Sequence, residues 1–409
     1  MATTTRLPGL TLIEHELDVP LDHTSPFGES ITVFARELIA DGGEQHPLLV
    51  FFQGGPGSEA PRPTGARDET TWVHRALREY RVLMLDQRGT GRSSPIGTLD
   101  GLEPQQQAQF LTHFRADSIV RDAELVREAL GAERWSVLGQ SFGGFCVLTY
   151  LSFFPQSLRE AFFTGGLPPV GRPTDDVYSR TYPRVLDRCR QFYERYPDDR
   201  ARVQDFHERI ERGEIVLPTS EQLTARRFRQ LGSMLGMSDG APRLHYILER
   251  PPESPAFLHD VHEAIRFGRN PLYAVIHEAC YADGVVTNWS ADRLLPAEYA
   301  DDPTLFTGEH VYPWMFEDEP ALRPLAGAAE ILAHHEWPRL YDEQQLERNE
   351  VPAAAAIYAN DIYVDRELSE ETAARVPGLH AWLTSEYEHN GLRADGARIL
   401  DRLISLARG

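Results

Sequence analysis

The stretch Gly139-Gln140-Ser141-Phe142-Gly143 places a hydroxyl between two glycines at the spacing G-x-S-x-G. A serine at the apex of a sharp strand-to-helix turn has a strained backbone, and side chains two positions away on either side would collide there. Gly139 and Gly143 remove those Cβ atoms. The Ser141 hydroxyl then stands clear of the chain, at the N-terminus of a helix whose dipole favours negative charge. The chemistry this implies is attack on an acyl carbon, followed by hydrolysis of the covalent intermediate.

Such an attack needs two further parts. The developing oxyanion needs fixed N–H donors, each worth on the order of 3 kcal/mol. Gln53-Gly54-Gly55-Pro56-Gly57 follows the apolar run Leu48–Phe52. The backbone amides of Gly54 and Gly55, with that of Phe142, are the candidate donors. Serine also needs a base, and the base needs an orienting acid. The chain order expected after a G-x-S-x-G serine is acid, then histidine. Asp361 is the first carboxylate beyond the β-rich run Val351–Tyr358, and Asp365 is the alternative four residues on. His389 lies in the loop after Leu379–Thr384, whereas His380 falls inside that run. His389 would take the Ser141 proton, and Asp361 would orient and stabilise the imidazolium.

The elements that must position these residues alternate. Ile31–Leu38, Leu48–Gln53, Val82–Asp86, Trp135–Gly139 and Ala161–Thr164 read as strands. Ile119, Val120, Ala123, Val126 and Leu130 recur at helical spacing between the third and fourth of them, and Gly131 stops that helix. Alternation of this kind predicts an α/β protein with a mostly parallel central sheet flanked by helices, here the α/β-hydrolase fold. After Pro168 and Pro169 the chain turns charged, aromatic and helical. Tyr178, Tyr182, Val185, Cys189 and Phe192 share one helical face. The organisation expected is a core over residues 1–169, a helical cap over 170–320, and the rest of the core over 321–409.

Composition excludes several function classes. The 409 residues carry 62 acidic against 41 basic side chains, a net charge of −21. That field repels nucleic-acid phosphates and favours cationic ligands such as free amino termini. Three cysteines, Cys146, Cys189 and Cys280, form no CxxC pair and read as buried thiols rather than a disulfide framework or a zinc site. His334-His335-Glu336 and His259 with His262 lack the H-E-x-x-H pattern, so no metal is expected. Asp86-Gln87-Arg88-Gly89-Thr90-Gly91-Arg92-Ser93 lacks the third glycine of a dinucleotide site, so no cofactor is expected, and Asp86 or Arg88 is expected to tie loops together. Residues 1–10 hold no apolar core of a signal peptide, and no 18-residue apolar run occurs. A cytoplasmic protein without membrane contact is the expectation; oligomeric state is left open.

Taken together, Gly54-Gly55-Pro56-Gly57, the stretch Asp86–Ser93, the Ser141 motif, Asp361 and the run from His389 to Arg393 resemble the proline iminopeptidases. Gln53 departs from the pattern, since many members have histidine there. The resemblance implies a serine exopeptidase that releases an N-terminal proline from short peptides through an acyl-enzyme. It further implies cap glutamates that bind the substrate amine. Glu278, in an E-x-x-Y stretch ending at Tyr281, resembles one, and Glu309 is the candidate for a second. A protonated secondary amine entering a partly dry site needs such a carboxylate. Tyr281, Trp289, Tyr312 and Trp314 are candidate walls for a proline-sized pocket. Two other readings use the same residues: an esterase or other acyl hydrolase, which needs no cap glutamate, and a non-catalytic ligand-binding protein on a hydrolase scaffold. Serine at the elbow, where a dehalogenase or epoxide hydrolase carries aspartate, disfavours those two.

Overall fold

In the computed structural model, residues 3–63 and 68–409 are described; Met1 and Ala2, which open the N-terminal stretch read above, and residues 64–67 lie outside them. Among the described residues nine strands form one sheet: β1 (Thr3–Leu7), β2 (Leu10–Pro20), β3 (Ser30–Ala40), β4 (Leu48–Phe52), β5 (Arg81–Leu85), β6 (Trp135–Gln140), β7 (Leu158–Thr164), β8 (Ala353–Tyr358) and β9 (Leu379–Thr384). Their order is β1-β2-β3-β5-β4-β6-β7-β8-β9. The six strands from β5 to β9 in that order pair in parallel. β1, β2 and β3 are antiparallel to one another, and β3 is antiparallel to β5.

The parallel strands are apolar because both faces are covered. β4 and β8 are buried at every residue. In β4, Val50 and Phe52 face the helix Ala116–Ala129, which supplies Ile119, Val120 and Ala123. Leu49 and Phe51 face the opposite side, where Ile399, Leu400, Leu403 and Ile404 of the helix Gly396–Arg408 close the core. Each such fully buried side chain contributes roughly 1.5–3 kcal/mol. The helix Phe142–Phe153 is apolar all round and buried over nearly its whole length, which holds its N-terminus rigidly at the end of β6.

The strands expected from sequence have counterparts in β3 to β9, with ends shifted by up to three residues. The hairpin β1–β2 was not foreseen. β1 is exposed throughout and β2 is mostly half-buried, which leaves no alternating burial pattern to read. β2 is instead defined by pairing along its whole length with β3, from Leu10 opposite Ala40 to Pro20 opposite Ser30.

Between β7 and β8 the described chain contains helices, loops and one isolated bridge, Val216 with Gln222. The longest helix, Thr174–Arg195, buries Tyr178, Tyr182, Val185, Cys189 and Phe192. Short helices continue to Glu343–Leu346, beyond the expected boundary at residue 320. The loop after β5 is a tie. Arg88 is fully buried and donates from Nε to Asp122 at 2.7 Å and from Nη1 to the Leu21 and His113 carbonyls. Asp86 accepts from both Nη atoms of Arg62 and from the Arg92 amide. Among the described residues no helix is long and apolar enough to cross a membrane.

Candidate active site

Ser141 follows β6 with φ 54° and ψ −127°, a conformation that non-glycine residues adopt only when their surroundings force it. The two flanking glycines answer to different neighbours. A Cβ on Gly139 would lie 2.2 Å from the Gly143 oxygen, across the elbow. A Cβ on Gly143 would lie 1.9 Å from the Phe52 oxygen of β4. Gly143 is therefore required by the adjacent strand as well as by the turn itself. Two residues beyond β7 were not singled out in the sequence. Gly166 packs on the Ser141 backbone, where an added Cβ would come within 2.1 Å of the Ser141 oxygen. Its neighbour Gly165 lies against the imidazole, with an added Cβ 3.2 Å from His389 Nδ1. One tight turn thus touches both residues.

His389 is buried, and its Nδ1 lies 2.7 Å from Asp361 Oδ2. The other Asp361 oxygen accepts from the amides of Tyr363 at 2.8 Å and Val364 at 3.2 Å. The carboxylate is thereby fixed on one side and aimed at the imidazole on the other. Tyr363 stands edge-on to the imidazole at 4.6 Å between ring centroids. Burial opposes the charge on His389, but the attraction and hydrogen bond of Asp361, helped by Glu309, outweigh it, and the pKa rises above its ordinary value. Nε2 of His389 and Oγ of Ser141 form no hydrogen bond to one another or to any described residue; both residues line the same cavity. Asp365 serves elsewhere: it caps the helix Arg366–Arg375 through the Leu368 amide and pairs with Arg184 at 2.7 Å.

Gly54 sits directly against the nucleophile, where an added Cβ would come 2.9 Å from Ser141 Cβ. The amides of Gly54 and Gly55 donate to no described residue. Phe142 opens the helix Phe142–Phe153, so its N–H has no acceptor within the helix. All three candidate donors are thus free at the end of β4 and β6 where Ser141 sits.

The cavity shared by Ser141 and His389 has a volume of about 730 Å³. Glu309 also lines it, held by the Tyr273 hydroxyl. A smaller cavity of about 330 Å³ adjoins across Ser233, Tyr273 and Glu309. Glu278 does not reach this space. Its two oxygens accept from the amides of Ser290 at 3.1 Å and Ala291 at 2.8 Å, capping the helical turn Ser290–Arg293. Burial there, only partly offset by those amides, pushes its pKa up to about 7. The expected aromatic walls are elsewhere too. Tyr281 packs on Phe145, Tyr312 stacks on Trp314, and Trp289 bonds to Glu330. The apolar residues lining the Ser141 cavity include instead Trp72, Met234, Met237, Tyr273 and Tyr363. Only Tyr363, two residues past Asp361, carried a positional signal in the sequence.

A family profile described as "alpha/beta hydrolase fold" matches residues 47–260. A proline iminopeptidase of Aeromonas sobria is 47% identical over 418 residues, covering 98% of this chain and 98% of its own. A proline iminopeptidase of Aspergillus aculeatus is 34% identical over 421 residues, covering 96% of this chain and 93% of its own. A tripeptidyl aminopeptidase of Streptomyces lividans is 26% identical over 177 residues, 35% of this chain and 33% of its own.

Proposed function

The chain belongs to the proline iminopeptidase family of the α/β-hydrolase fold, and from that premise we propose that it is a serine exopeptidase releasing N-terminal proline from short peptides. Ser141 attacks the prolyl carbonyl while His389 takes its proton. Asp361 holds the tautomer that leaves Nε2 free to do so, and stabilises the imidazolium that results. The amides of Gly54 or Gly55 and of Phe142 receive the oxyanion. His389 then donates its proton to the departing peptide nitrogen, and water, deprotonated by the same imidazole, releases proline from Ser141.

Glu309 is the group we assign to the substrate amine. It lines the cavity of Ser141, and its charge already acts on His389. Glu278 receives a structural assignment, since both of its oxygens are committed to backbone amides. Residues 170–320 act as a cap over a core built from 1–169 and 321–409.

The observation that carries this reading is that His389, paired with Asp361, shares one cavity wall with Ser141 and Glu309. The test is hydrolysis of a proline arylamide, its N-acylated analogue and a simple aryl ester by the purified protein. Rapid cleavage of the first alone is expected, lost in Ser141→Ala. Equal cleavage of the acylated analogue would point to a general acyl hydrolase, and turnover surviving in Ser141→Ala would remove the serine mechanism.

A further inference from the structure

The charged residues on the wall of the Ser141 cavity are not alike in how they are partnered. Arg62 is spent on Asp86, through both of its Nη atoms. Asp68 is spent on the amide and hydroxyl of Thr70. Glu309 is the carboxylate assigned above to the substrate amine. Two cations remain, Arg243 and Arg393.

These two arginines come from different parts of the chain and meet at one place. Arg243 lies on the helix Gly240–Leu248, between β7 and β8. Arg393 lies on the turn of helix Gly391–Ala394, which begins two residues after His389. The two segments are clasped together: Asn390 Oδ1 accepts from the amide and hydroxyl of Ser238, each at 2.9 Å, and the His389 amide donates to the Gly236 oxygen at 3.2 Å. Both guanidiniums share a single exposed carboxylate, Asp239, at 3.9 Å and 3.6 Å. Those separations exceed hydrogen-bond length. Among the described residues, neither guanidinium donates a hydrogen bond. Two largely exposed cations facing one loosely held anion leave an unbalanced positive charge and free N–H forks on the wall of the cavity that Ser141 and His389 also line.

The cavity is therefore bipolar, with a carboxylate at Glu309 and a guanidinium pair at the clasp. A short peptide is bipolar in the same sense, with an ammonium at one end and a carboxylate at the other. We propose that Arg243 and Arg393 receive the C-terminal carboxylate of di- and tripeptide substrates, so that the enzyme prefers peptides with a free C-terminus. An arginine fork matches a carboxylate geometrically, and charge-assisted pairing is stronger than a neutral contact. The net charge of −21 sharpens the point. Without a local cation pair, that field would make a free carboxylate a worse ligand than an amide.

This inference rests on the exopeptidase reading, and the experiment separates the two. kcat/KM is measured for Pro-Ala and Pro-Ala-Ala, each as free acid and as C-terminal amide, with a proline arylamide alongside. For at least one length the acid is expected to exceed the amide by about tenfold, expressed in KM rather than kcat. In the double variant Arg243→Gln/Arg393→Gln that ratio falls to about one or below, and in the wild type it shrinks as salt is raised. Acid and amide turned over equally at both lengths, or a ratio unchanged in the double variant, would overturn the proposal. Failure to cleave even the arylamide would instead overturn the exopeptidase reading. Because the readout is a ratio within each protein, a general loss of activity in the variant does not mimic the expected result.

Discussion

Asp361 Oδ2 lies 2.7 Å from His389 Nδ1, while Asp361 Oδ1 is held by the amides of Tyr363 and Val364. The carboxylate cannot rotate away without leaving two buried N–H groups unpaired, so it dictates which imidazole nitrogen bears the proton.

Asp361→Asn keeps the shape of this pair and reverses its polarity. Its oxygen satisfies the two amides, and its NH2 then faces Nδ1 and drives the proton to Nε2. The imidazole becomes unable to accept from Ser141. A loss of about 10⁴ in kcat on a proline arylamide is expected, with unchanged thermal stability within roughly 1 kcal/mol. Retained activity would show that Asp361 does not govern the tautomer.

Glu309 helps raise the pKa of His389 above its ordinary value, after burial and Asp361 have had their larger, opposed effects. The base must be neutral, so kcat/KM falls as pH drops through that pKa. Glu309→Gln removes a negative charge that favours the imidazolium. The acid limb of the kcat/KM profile should therefore move to lower pH, together with a raised KM for substrates bearing a free amine. A limb that stays in place would separate Glu309 from the His389 environment.

Glu278→Gln should act on stability rather than on substrate binding. Glutamine can present one oxygen where two amides need acceptors, and leaving the other unpaired costs about 1–3 kcal/mol. The pH dependence has a definite sign. With its pKa raised from 4.5 to about 7, folded Glu278 holds its proton where the unfolded chain has lost it. Its contribution is thus fully present below about pH 4.5 and declines as pH rises to about 7. Wild-type stability should fall relative to the variant across that window, read by denaturant melts. A KM rise as large as that of Glu309→Gln would return Glu278 to the substrate site.

Gly54→Ala and Gly143→Ala should part company. The Gly54 Cβ would press on Ser141 Cβ at 2.9 Å and disturb the nucleophile against its oxyanion donors, so kcat should fall by about 10² or more with the fold intact. The Gly143 Cβ would overlap the Phe52 oxygen at 1.9 Å, between a helix and a strand that are both buried, and should cost about 3 kcal/mol or more in stability. Circular dichroism melts alongside arylamide kinetics distinguish the two outcomes.

The parts legible in the sequence are those set by local rules. The turn at Ser141 was readable because a strained φ beside crowded backbone admits few residue types, and the glycines mark it. The parallel strands were readable because burial on both faces demands unbroken apolar runs such as Leu48–Phe52 and Ala353–Tyr358. The position of Asp361 and His389 after successive strands followed from strand order, since neighbouring parallel strands deliver their following loops to the same edge of the sheet.

What tertiary structure alone decided was direction and partnership. The sequence favours Glu278 over Glu309 for the substrate amine, yet Glu278 turns inward to cap a helix and Glu309 meets the cavity. The expected aromatic walls went to contacts with Phe145, Trp314 and Glu330, and Met234, Met237 and Tyr273 line the cavity because segments separated in sequence converge there. Arg243 and Arg393 stand 150 positions apart, and nothing local links them; the clasp of Asn390 on Ser238 does. A chain of short-range steric rules can specify an elbow, but which side chains share a cavity depends on long-range packing, where each outcome is a small difference among many competing contacts.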